Sequence, residues 1–143
     1  MCPVESPPGV ERPALAGLSR TAACRLIGVS PSALGRWERS VASGVSLPAS
    51  LAFADLLALA VLRELTARLG AGADDFSAGV AQLFAVLAAR ADLERLDDYV
   101  ALIGHDFARL AELRSDHVRC VGDDFIVVAL HPILASFRDQ VFA

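Results

Sequence analysis

The chain has 143 residues, 55% of them hydrophobic and 21% charged, with 13 basic residues against 17 acidic ones for a net charge of −4. That much apolar surface excludes a disordered chain, and the length suits one domain rather than two with separate large cores. Three cysteines, Cys2, Cys24 and Cys120, are too few and too scattered for a disulfide framework, which points to a reducing cytosol.

The first 17 residues form a Pro-rich stretch with Pro3, Pro7, Pro8 and Pro13, read as a flexible tail. They carry neither the basic start nor the apolar run of a secretory signal. The longest apolar stretch, Leu47 to Leu62, is broken by Pro48 and Asp55 and falls short of the roughly 20 residues a membrane helix needs. A cytoplasmic protein with no membrane partner is expected.

Charge is unevenly spread. Residues 12–39 hold Arg12, Arg20, Arg25, Arg36 and Arg39 against Glu38 alone, a net +4, while residues 40–143 hold eight arginines and fourteen acids, a net −6. A basic head on an acidic body suits a small nucleic-acid-binding unit joined to a non-binding remainder.

Within the head, Ser19 can cap a helix running from Arg20 to Ile27, with Ala22, Ala23, Leu26 and Ile27 on one side. Gly28 suits the left-handed conformation that closes such a helix. Ser30 followed by Pro31 marks a second start, since proline at the first helical position forfeits no hydrogen bond. Leu34 and Trp37, three apart, make the apolar face of this second helix, and Ser32, Gly35, Arg36 and Arg39 face outward. Two short helices joined by a glycine-containing turn predict a helix-turn-helix, with residues 31–39 as the recognition helix in the major groove of double-stranded DNA. Arg36 with Ser32 is expected at base edges and Arg20, Arg25 and Arg39 at phosphates, while Ser30, which with Pro31 sets the recognition helix, is counted with the DNA-binding residues.

Residues 28–39 (Gly-Val-Ser-Pro-Ser-Ala-Leu-Gly-Arg-Trp-Glu-Arg) resemble the helix-turn-helix core of MerR-type winged DNA-binding domains, a core shared by excisionase-like proteins. Leu51 to Leu57 resembles the aromatic residue and Asp-Leu pair that follow the wing in that family, and Leu59 to Gly70 its next helix. The resemblance covers about residues 18–72 and implies a winged, DNA-binding regulator that works as a dimer. Residues 40–50, at the place of the wing, contain no basic residue, which implies either a shortened wing or weak affinity of the monomer for DNA.

Beyond the head, the apolar spacing of Leu56, Leu59, Leu62, Leu65 and Leu69 predicts a helix over 55–69, closed by Gly70-Ala-Gly72. Asp74-Asp75 is expected to open a further helix, Phe76 to Arg90. After Ala91 two patterns compete. Leu93, Leu96, Val100, Ile103, Phe107 and Leu110 fit one dimerisation helix, whereas Tyr99 to Ile103 fits a buried strand. The run Asp124 to Leu130, rich in branched residues, is the clearest strand and needs a partner. That favours Tyr99 to Ile103 as the partner, with Asp106 to Arg114 a helix between them and Pro132 to Val141 a last helix. The expected fold is thus mainly α: a helix-turn-helix head (18–72) and a helical body with a small α/β element (73–143) for dimerisation or a protein partner.

His105, His117, His131 and Cys120 lack the paired-cysteine spacing of a metal site, so no metal or other cofactor is expected. No phosphate-cradling glycine loop or nucleophile motif occurs, and the acid pairs Asp74-Asp75, Asp97-Asp98 and Asp123-Asp124 read as caps or turns. An enzyme is therefore not expected. Two alternatives to a sequence-specific regulator stay open: an antitoxin-like module whose acidic body neutralises a partner while the head represses its own operon, and an excisionase-type factor that shapes DNA.

Overall fold

A computed structural model describes residues 17–113 and 125–142. The protein is mostly helical, with two small sheets. The proline-rich tail and the segment bearing His117 and Cys120 lie outside the described residues.

A two-residue strand β1 (Leu18–Ser19) leads into α1 (Arg20–Ile27) and α2 (Pro31–Glu38). Strand β2 (Ser50–Leu51) returns to pair antiparallel with β1, Leu18 opposite Leu51 and Ser19 opposite Ser50. This ladder stands where the resemblance led us to expect a wing. Residues 39–44 form turns directly after α2, with Val41 and Ala42 buried, and no hairpin separates α2 from the next helix. Val45 and Leu47 of this segment also pack against the core.

Helix α3 (Phe53–Leu69) is the centre of the molecule. Leu56 through Leu62 and Leu65 are all buried, so the helix is apolar nearly all round and is surrounded by other elements. Its start is fixed by Asp55, whose Oδ2 accepts from the Ala52 amide at 3.0 Å. Gly70, at φ +58, closes it. A 3₁₀ segment (Gly70–Phe76) follows, then α4 (Ser77–Ala88). Asp74 and Asp75 therefore sit in the tight connector, not in the first turn of α4.

The fork after Ala91 resolves to strands. Leu93–Asp98 is a 3₁₀ segment, followed by β3 (Tyr99–Gly104), β4 (Ala108–Glu112), β5 (Phe125–Ala129) and a last helix α5 (His131–Phe142). Strand β3 is central, with β4 and β5 antiparallel on either side. The helix expected over Asp106 to Arg114 is strand β4. Its residues (Ala-Arg-Leu-Ala-Glu) favour helix locally, but β3 offers a complete edge of backbone partners four residues back, and the tertiary ladder overrides propensity. The turn closes with the Gly104 amide donating to the Phe107 carbonyl at 2.8 Å.

One hydrophobic core runs from Ala23 and Ile27 of α1 through α3 and α4 to Leu134 and Phe137 of α5. The head thus shares its core with the body. A smaller cluster on the far face of the sheet comprises Val100, Leu102 and Ala111, flanked by Phe125 and Val127.

Candidate nucleic-acid interface

Helices α1 and α2 and the turn between them are set by caps at three points. Ser19 Oγ accepts from the Ala22 amide at 3.1 Å and Ser30 Oγ from the Ala33 amide at 3.0 Å, each starting a helix. Between them Gly28 takes φ +86, and its amide donates to the Cys24 carbonyl at 2.8 Å. A side chain at residue 28 would be strained in that conformation. Pro31 occupies the first turn of α2.

Burial sorts the faces of α2. Leu34 is buried against the core, while Trp37 is only half-buried and packs on the core's edge. Trp37 therefore braces the helix from the rim of the core. The opposite face carries Ser32, Arg36 and Arg39, all exposed, with Gly35 between them. The guanidinium of Arg39 lies back over Gly35, 3.5 Å from where a Cβ would be. On α1, Arg25 is exposed. Among the described residues, Arg25, Arg36 and Arg39 make no ion pair and stand open to an external anion. Ser30 is exposed too, although its hydroxyl is engaged as a cap.

Arg20 behaves differently. Its guanidinium is hydrogen-bonded to the Glu38 carboxylate, joining the first residue of α1 to the last of α2. That bond holds the Arg20 guanidinium even more firmly protonated than usual. Of the six residues expected at the interface, four (Ser32, Arg36, Arg39 and Arg25) offer open side chains, while Arg20 and Ser30 serve the scaffold.

Two features escaped sequence reasoning. Arg63 of α3 lies 3.9 Å from where a Cβ at Gly28 would be, beside the C-terminal end of α1, where a cation complements the helix dipole. Arg36 and Trp37, with Ser40, border a shallow hollow whose other wall includes Thr66 and Asp74, so an acid faces the end of the basic helix. Neither is visible in the chain, because both depend on how α3 crosses the head.

Cys24 is buried, and burial pushes its thiol above the ordinary range. Of the candidate metal ligands that lie within the described residues, His105 stacks on Phe76 with ring centroids 4.4 Å apart and its Nδ1 lies 3.1 Å from the Asp75 carbonyl. His131 lies 3.5 Å from Asp97. No group of three or more metal-ligating side chains forms among the described residues, nor is any helix there long and apolar enough to cross a membrane. Comparison of the chain with protein-family models, curated proteins and solved structures finds no match.

Proposed function

We propose that the protein is a sequence-specific DNA-binding regulator of the MerR-like helix-turn-helix type, acting as a dimer, with α2 as the recognition helix. The observation that carries this reading is the exposed face Ser32-Arg36-Arg39 on a capped, eight-residue helix, backed by Arg25 on α1, with no acid paired to any of these arginines among the described residues. A helix of that width enters the major groove, and arginine pairs with both guanine acceptors or grips phosphates. Arg36 and Ser32 would read bases; Arg25 and Arg39 would hold the backbone. Three open arginines per chain make few phosphate contacts, and two copies on adjacent half-sites double them.

A mobility shift with the DNA upstream of the protein's own gene, in the presence of excess competitor, tests the proposal directly. Specific retention that Arg36→Ala weakens by about 1–3 kcal/mol, with an unchanged circular-dichroism spectrum, supports it. Equal affinity for specific and competitor DNA, or an Arg36→Ala variant that binds as the native protein does, would overturn it.

A further inference from the structure

A cleft of about 260 Å³ lies between α1, α3, β5 and α5. Its walls mix polar and apolar surface, the apolar part coming from Ile27 of α1, Ala60 of α3, Val128 of β5, and Ile133 and Phe137 of α5. That volume is just below the range of drug-sized ligand sites, so it suits something smaller.

The polar groups of the cleft are unbalanced in charge. Arg63 and Arg68 of α3 both line it, against one acid, Glu64. Arg63 approaches Glu64 only to 3.9 Å, at the limit of ion pairing, with both side chains about half exposed. Arg68 donates from Nη1 to the Val127 carbonyl oxygen at 2.6 Å. A backbone carbonyl satisfies a donor but leaves the charge, and no carboxylate pairs with Arg68 among the described residues. A pocket that sets apolar side chains beside surplus guanidinium charge fits an apolar tail ending in an anionic group, and the planar fork of arginine matches a carboxylate.

We propose that this cleft binds a small amphipathic monocarboxylate, its tail between α3 and α5 and its carboxylate on Arg63 and Arg68. Leu26 also lines the cleft, and its carbonyl accepts from Gln140 Nε2 of α5 at 3.1 Å, so α1 and α5 meet at the cleft rim just before the Gly28 turn. A ligand seated there touches both helices where they meet. The site does not rest on the DNA-binding proposal.

Calorimetric titration of the full chain with octanoate, without DNA, tests the site separately from DNA binding. Saturable one-to-one binding of octanoate is expected, with octan-1-ol and acetate each at least about tenfold weaker, because one lacks the charge and the other the tail. Arg63→Gln, an exposed substitution, should weaken octanoate about tenfold and leave octan-1-ol unchanged. Ser136→Phe should block the cleft from its exposed edge, and a native melting temperature for that variant confirms that it is folded. Absence of saturable octanoate binding overturns the proposal. So does octanoate binding that neither variant alters, or that octan-1-ol equals.

Discussion

Glu38, the last residue of α2, holds Arg20, the first residue of α1, in a hydrogen-bonded ion pair. The two residues lie 18 apart in sequence and close the α1–α2 pair at its open end, opposite the Gly28 turn. The pair withdraws one of the five arginines of the basic segment from any external anion. Each phosphate neutralised contributes about −0.9 to the slope of log K against log salt. Arg25→Gln should therefore flatten that slope by about 0.9, and Arg20→Gln by less than half as much. Arg20→Gln should instead lower fold stability by up to about 1 kcal/mol, the ceiling for a partly exposed pair. Salt-titrated binding of both variants checks the distinction; equal slopes would mean that Arg20 leaves Glu38 to meet the phosphate.

The two apolar anchors of α2 should differ in cost. Leu34 is 2% exposed and Trp37 only half-buried. Leu34→Ala should destabilise by about 2–5 kcal/mol, as full truncation in a packed core does. Trp37→Ala, the larger deletion by volume, should cost about half that because water already reaches one side of the ring. Urea denaturation of both variants gives the order, and a costlier Trp37 would place it deeper than its exposure indicates.

Gly79 on α4 is a contact point with the β3–β4 hairpin. Its amide donates to the His105 carbonyl at 3.2 Å, and a Cβ there would overlap the Gly104 carbonyl oxygen and lie 2.9 Å from that of Phe107. Those neighbours are backbone and cannot rotate away. Gly79→Ala should cost about 3 kcal/mol, the upper end of overpacking penalties, despite its favourable helix propensity. A thermal melt reads this simply; a stabilised variant would show that α4 stands off from the hairpin.

Asp97 confers a pH dependence. Arg138 donates to it from both terminal nitrogens, at 2.9 and 2.8 Å. Those hydrogen bonds hold the carboxylate below its usual range, against the opposing effect of burial, with His131 adding in the same direction. A carboxylate with a lowered folded pKa stabilises the protein fully above its unfolded value, about 3.9, and loses that contribution as pH falls through the lower folded value. Asp97→Asn should then cost up to about 1 kcal/mol near pH 7 and progressively less below about pH 4. Chemical denaturation at the two ends of that range decides it: an equal cost at both would assign the effect to shape, not charge.

The chain itself determined what depends on neighbours within a few residues. Ser19, Gly28 and Ser30-Pro31 act through backbone groups three or four positions away, so the boundaries of α1 and α2 were legible without any tertiary partner. The branched run over 125–129 was likewise legible as a strand in need of a partner, which favoured the apolar run over 99–103 as that partner over a long dimerisation helix, and the two do pair. Three things were decided only by the tertiary structure. Ala108–Glu112 has the composition of a helix and became a strand because β3 presented an unpaired edge, and backbone groups there gain more from the ladder than from local propensity. The segment after α2 became buried turns, with β2 laid on β1, because Val41, Ala42 and Leu51 belong to the common core. Which arginines stand open was decided in the same way: the sequence lists Arg20 and Arg25 alike, but charge pairing acts through space, and only the crossing of α1 and α2 brings Glu38 to Arg20 and leaves Arg25 exposed.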